Sequence, residues 1–196
     1  MPDTSDAELW ARARAGDTEA FGDLYERHAR AIQSYCLWRT ADPQAAEDAT
    51  ATVFLEAWRR CEGLTLLTDS AAPLLLGIAN NVVRRQWRKS RRQRDALERV
   101  HAAEATGASD LEAEAIVRLD AARELREAGA TIRSLPRRER EVLAMVAWGE
   151  LSYEETAVAL GIPIGTVRSR LARARRRLSV SGQQIVTPIA EEEPSP

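Results

Sequence analysis

Histidine and cysteine are scarce, with 2 of each among 196 residues. His28 and His101 have no neighbours at zinc-ligand spacing, and Cys36 and Cys61 form no CxxC pair. Neither a metal site nor a disulfide framework is expected, and both thiols are expected to be plain and reduced. Lysine is scarcer still. Lys89 is the only one, so nearly all positive charge is arginine, whose planar guanidinium forms bidentate contacts with phosphate and guanine; GC-rich coding would produce the same bias. No apolar run approaches the roughly 20 residues that cross a bilayer. Residues 1–9 are polar and acidic, unlike a signal peptide. These features predict a cytoplasmic chain without membrane insertion. Neither sign of charge is in excess: 28 Lys and Arg face 30 Asp and Glu, for a net charge of −2. Total charge therefore names no partner, and its distribution has to.

The chain is rich in helix formers. Alanine, leucine, glutamate and arginine dominate, hydrophobic residues make up 44%, and no segment alternates with period two. The expected class is all-α, with two small helical domains joined by a partly helical acidic linker. Residues 1–94 form the first domain. Within it, residues 6–39 read as one block, with Asp17 as N-cap and Phe21, Leu24, His28, Ile32 and Tyr35 at helical spacing. A second helix follows Asp42-Pro43, with Ala46, Ala49, Val53, Ala57 and Trp58 near one stripe and Phe54 and Leu55 beside it. Residues 61–72 form a break rich in turn formers. A third helix is predicted over 73–94, apolar in its first half and basic in its second. Residues 95–130 change sign and carry nine acidic side chains against four arginines. They read as the linker, with a capping box at Ser109–Glu112 restarting a helix. Residues 131–180 form the second domain, and the polar, acidic tail 181–196 is expected to be disordered.

Residues 151–178 carry the most information. Ser152-Tyr153-Glu154-Glu155 is a capping box that opens a short helix, and Leu160-Gly161 supplies the left-handed stop. A second helix begins around residues 163–165. With Val167 facing inward, Leu171, Ala174 and Leu178 share its face, while Gly165, Ser169, Ala172, Arg173 and Arg176 lie opposite, with Thr166 and Arg168 at the margins. Short helix, glycine turn and second helix is the helix-turn-helix pattern. Small residues let such a helix sit deep in a major groove, and its arginines reach base edges or phosphates. The bland alternative is a solvated basic face; cap, turn, stripe and arginine face together favour DNA.

At these residues the chain resembles region 4 of the sigma-70 family. The matching residues are Leu135-Pro136, Arg140-Glu141-Val142-Leu143, 151–155 and 165–171, with Arg173-Ala174-Arg175. Pro163 departs from the pattern, which has a capping serine there. The same unit is also similar to the helix-turn-helix of LuxR-type regulators, which keeps open a stand-alone regulator as an alternative. The first half separates the two, because it shows no strand pattern for a receiver domain. Instead, Gly16-Asp17, Ala20-Phe21, Leu24-Tyr25, Asp42, Ala46-Glu47-Asp48, Phe54-Leu55, Ala57-Trp58, Ile78-Ala79 and Asn81 resemble region 2 of extracytoplasmic-function sigma factors. Departures are Ala51 and Thr52 for a usual Gln-Glu pair, and Leu74, Leu76 and Gly77 for a usual Trp, Tyr and Arg.

The resemblance implies a promoter reader that docks on core RNA polymerase and has no catalytic site and no cofactor. It implies that Thr166, Arg168, Ser169, Arg173 and Arg176 meet the −35 duplex. It places Asn80, Asn81, Arg84, Arg85, Arg88 and Lys89 at the −10 element, where a flipped base would enter the 61–72 loop. Glu47, Asp48 and Phe54 fall on the polymerase-docking surface, although the residues alone read better as a packed amphipathic helix. An anti-sigma factor is a candidate partner. Trp87, a possible base-stacking platform, shares the side of Leu76 and Val83 and reads better as core, as does Trp58. An enzyme such as a recombinase or nuclease would need a nucleophile or carboxylate cluster, and the adjacent Glu47 and Asp48 diverge on a helix.

Overall fold

The computed structural model describes residues 4–101 and 134–180. Among these, regular structure is helical throughout: seven α-helices and one 3-10 turn. They are α1 (Asp6–Arg14), α2 (Thr18–Thr40), α3 (Pro43–Arg60), the turn Cys61–Gly63, α4 (Ala72–His101), α5 (Arg137–Ala147), α6 (Tyr153–Leu160) and α7 (Ile164–Val180).

Local chemistry sets the ends. Ser5 and Glu8 form a reciprocal capping box on α1. Asp17 accepts from the Glu19 and Ala20 amides to open α2. Asp42 accepts from the Ala45 amide, with Pro43 in the first turn of α3. Each such cap satisfies amides that have no intrahelical partner. The block over 6–39 comprises two helices, divided at the Gly16-Asp17 turn, and the second opens at the Asp17 cap expected from the sequence. Helix α4 runs through the sign change at Asp95 to His101, beyond the predicted 73–94. The capping box at Ser109–Glu112, the rest of the linker and the tail lie outside the described residues.

The core of the first module gathers Leu9, Trp10, Leu24, Ile32, Tyr35, Cys36, Val53, Phe54, Leu75, Ile78 and Val83 from α1 to α4. Each large apolar side chain so buried contributes about 1.5–3 kcal/mol. The second module packs Leu135, Val142, Leu143, Val146, Val167, Leu171, Ala174 and Leu178 into its own cluster. The two modules also touch. Ala144, Met145 and Leu151 join the first core, and the Trp38 and Trp148 rings stack with centroids 4.2 Å apart. Gly77 stands where α4 meets α6: an added Cβ would lie 2.9 Å from the Ala159 carbonyl oxygen. Glycine inside a helix costs roughly 0.5–1 kcal/mol relative to alanine, and this close approach is the reason for it.

A buried carboxylate ties the amino-terminal helix down. Asp6 accepts from Arg27 Nη1 at 2.6 Å and from the Ala71 amide at 2.7 Å, and its Oδ2 lies 2.6 Å from His28 Nε2. Three elements therefore converge on one side chain. Burial alone would raise its pKa, but the Ala71 amide, His28 and Arg27 together hold it below the usual value. The stability it contributes is complete above the ordinary carboxylate value of 3.8 and is lost as pH falls through the lower folded value. Asp6→Asn should destabilise the chain by about 2 kcal/mol in urea unfolding at neutral pH. The difference from wild type should shrink as pH falls below 3.8.

Candidate nucleic-acid interface

Helix α6 opens at a reciprocal capping box, in which Ser152 Oγ accepts from the Glu155 amide at 3.1 Å and Glu155 accepts from the Ser152 amide at 2.9 Å. It ends at Gly161 with φ 63° and ψ 41°, the left-handed region that favours glycine. Helix α7 then buries Val167, Leu171, Ala174 and Leu178, one stripe along its length. Its other side, Gly165, Arg168, Ser169, Ala172, Arg173 and Arg176, is exposed. This is the helix-turn-helix expected from the sequence, with an arginine-rich face turned outward.

Glu139 of α5 lies under this helix. Its Oε1 sits 3.6 Å from Arg173 Nε and its Oε2 sits 3.1 Å from Arg177 Nε. Arg173 is thereby held in place while remaining half exposed.

On α4 the apolar first half is buried and the second half turns its cations outward. Asn81, Arg85, Arg88, Lys89 and Arg92 are exposed. Arg85 also pairs with Glu56 of α3. Arg84 is partly covered, 4.0 Å from Glu141. Thr166 and Arg173 share a cleft of about 720 Å³ with Asn80 and Arg84, so the structure brings members of both predicted DNA sets together. Between α3 and α4, Thr65, Leu67 and Asp69 of the loop are exposed.

Three predicted placements change. Asn80 is 4% exposed; its Oδ1 accepts from Arg39 Nη1 at 3.0 Å and from the Tyr35 hydroxyl at 3.3 Å. In this arrangement it braces α2 against α4 and does not face outward, unlike its neighbour Asn81. Phe54 is 5% exposed, its ring edge-on to those of Tyr25 and Phe21 at 4.7 and 6.4 Å. It supports the α3 surface from below, while Glu47 and Asp48 are exposed on that surface. Trp87, read as core, is 45% exposed, with the Arg140 guanidinium 5.5 Å from its ring centroid. Trp58 packs on Phe21 at 5.0 Å, as expected. The sequence reading missed the polar group formed by Tyr35, Arg39 and Glu141. The only signal for it was polar residues at a helical spacing that otherwise reads apolar.

Both cysteines are buried. Burial pushes the Cys36 thiol up to about 11, against the opposing effects of the Thr50 hydroxyl and Arg39. No helix among the described residues is long and apolar enough to cross a membrane. None of the described His, Cys, Asp and Glu side chains form a group of three or more able to hold a metal ion.

Two family models match this chain: Sigma-70 region 2 over residues 24–93 and Sigma-70, region 4 over residues 125–178. The chain is 34% identical to RNA polymerase sigma factor HrpL of Pseudomonas syringae pv. syringae over 164 residues, covering 81% of this chain and 83% of HrpL. It is 29% identical to ECF RNA polymerase sigma factor BldN of Streptomyces coelicolor over 180 residues. That match takes in 88% of this chain but spans only 64% of BldN. Among solved structures, CnrH in complex with the cytosolic domain of CnrY is similar, with a TM-score of 0.68, 25% identity, and coverage of 90% of this chain and 96% of CnrH.

The angle between α6 and α7 depends on the left-handed residue between them. Gly161→Ala should lower thermal or urea stability of the second module by about 1 kcal/mol. It should weaken duplex DNA binding further than that loss of folded protein accounts for. Unaltered stability would show that the turn tolerates a side chain.

Proposed function

Because the chain belongs to the sigma-70 family of RNA polymerase factors, in its extracytoplasmic-function group, we propose that its two modules read two promoter elements. Helix α7 enters the major groove of the −35 duplex. Arg168, Arg173 and Arg176 reach bases or phosphates there, while Gly165, Ser169 and Ala172 keep the helix close and Thr166 lies at its entry edge. The observation that carries this proposal is the division of α7 into a buried apolar stripe and an exposed arginine face behind a capped, glycine-ended α6. Each bidentate arginine–guanine pair discriminates by about 1–3 kcal/mol.

The basic half of α4 serves the −10 element. Asn81, Arg85, Arg88 and Lys89 are exposed for it and Arg84 partly so. Clustered cations on one helix neutralise phosphates, so affinity falls steeply with salt. The exposed carboxylates Glu47 and Asp48 on α3 face core polymerase. The chain itself makes and breaks no bonds; the polymerase supplies the chemistry. The similar protein CnrH was solved in complex with the cytosolic domain of another protein, which supports a protein partner besides polymerase, an anti-sigma factor being the candidate. The expected location is the cytoplasm, where these partners are found. The linker and tail boundaries at residues 95–130 and 181–196 remain part of this proposal.

Run-off transcription with core polymerase on genomic fragments tests it. The wild-type chain should direct discrete starts. Arg173→Ala and Arg176→Ala should each reduce initiation roughly 5- to 100-fold at promoters that need the upstream element. Unchanged initiation from every promoter would remove α7 from the recognition role, and DNA binding as a dimer without polymerase would favour the stand-alone regulator instead.

A further inference from the structure

One face of α1 is given to the segment that joins α3 to α4. Cys61 Sγ donates to the Ala13 carbonyl at 3.8 Å. Arg14 Nη2 donates to the Glu62 carbonyl and the Trp10 indole to the Leu64 carbonyl, both at 3.2 Å. At the far end of the segment, Asp6 accepts from the Ala71 amide at 2.7 Å and from the Ser70 hydroxyl at 3.4 Å. Asp6, Trp10, Ala13 and Arg14 recur at helical spacing and so share a side of α1. The bonds from Arg14, Trp10 and Asp6 reach main-chain atoms, so they fix the path of the segment whatever side chains it carries. Asp6 is itself fixed by Arg27 and His28 of α2, and Trp10 is 3% exposed.

Held at both ends, the segment alternates between partly buried and exposed positions from Leu64 to Ser70. Leu64 and Leu66 pack against the first core. Thr65, Leu67 and Asp69 face outward, and Leu67 is 78% exposed. An apolar side chain with a hydroxyl on one side and a carboxylate on the other suits an unstacked base, which is read by apolar contact and hydrogen bonds. Glu62 and Asp69 are the carboxylates of the segment. Arg59 and Arg60, in the last turn of α3, are exposed where it begins and supply cations for neighbouring phosphates.

We propose that α1 is a splint for this loop, and that Asp6, Trp10 and Arg14 are positioning residues for capture of the −10 element. The proposal rests on the two-element reading above. Flipping a base out of its stack has a cost that contacts with the loop must offset. A loop that also became ordered at that moment would bind more weakly, because ordering it loses conformational entropy. Bonding the loop to α1 places that loss in the folding of the chain. Asp6 and Trp10 are too buried to meet DNA; they act through the path of the backbone that carries Thr65, Leu67 and Asp69.

The test uses the full chain with core polymerase and a promoter located by run-off transcription, its non-template strand across the −10 element serving as a labelled oligonucleotide. Trp10→Phe keeps a buried ring and removes the donor; Arg14→Ala removes an exposed side chain. Each should weaken oligonucleotide binding by the holoenzyme about threefold, and the pair about tenfold. Affinity for core polymerase, affinity for −35 duplex and helical circular dichroism should not change. The salt slope should also stay the same, whereas a lost phosphate contact would lower it by about one. Arg14→Lys, which keeps a donor, should lie near wild type. A second measurement needs no DNA: a nitroxide on Leu67→Cys, in a free chain whose native thiols are buried, should be ordered with α1 intact and mobile in the double variant. Unchanged oligonucleotide affinity in the double variant, an unchanged label, a lowered salt slope for Arg14→Ala or a parallel loss of core binding would overturn the proposal. Failure of the sigma-factor reading would appear separately, as a chain with α1 intact that binds no core and starts no transcript while the label stays ordered; that result would overturn the capture role and leave only the attachment of the loop to α1.

Discussion

One apolar stripe on α4 is used twice. Leu75, Ile78, Ala79, Val82 and Val83 close the first module against α2 and α3. Leu76 and Gly77, on the adjoining side, receive the second module. A helix normally offers one such stripe to one core. Here the faces are neighbouring, so the position of α4 in its bundle fixes where the helix-turn-helix rests. The polar group formed by Tyr35, Arg39, Asn80 and Glu141 lies at the seam and satisfies what would otherwise be buried donors. Burial pushes the Tyr35 phenol well above its usual range, so it acts there as a neutral hydrogen-bonding group.

Local features were legible in the sequence because their causes are local. The caps at Asp17 and Ser152, the left-handed Gly161 and the stripe from Val167 to Leu178 each depend on residues a few positions apart, and each has the predicted form. The all-helical class follows from the same periodicities. The sites were only partly legible. Asn80 and Asn81 look interchangeable as text, but consecutive helix positions point about 100° apart, and one faces the core while the other faces solvent. Phe54 stood beside an apolar stripe and was absorbed by it. Trp87 follows the spacing of the buried stripe, but it stays half exposed, with the Arg140 guanidinium of α5 over its ring.

Contacts between distant segments left no pattern to read. Trp38 and Trp148 are separated by more than 100 positions, and an aromatic on a half-apolar face predicts burial without naming its partner. In the sequence Asp6 only marked the start of the first block, within a polar and acidic amino-terminal stretch. Its actual role, receiving groups from α1's neighbours and from the residues just before α4, depends on chain reversals that no local rule encodes.

Glu139 has a consequence for selectivity on the proposed DNA-binding surface. Its carboxylate is nearly enclosed, and two cations that it faces, Arg173 and Arg177, belong to α7. When Arg173 turns toward a nucleic acid, this carboxylate loses part of its compensation in a place that water reaches poorly. A lone phosphate offers Arg173 little more than it already has, whereas a well-oriented guanine edge offers two directed acceptors. On the proposed DNA-binding reading, the carboxylate would compete with nucleic acid for Arg173 and so favour a well-matched site over random duplex.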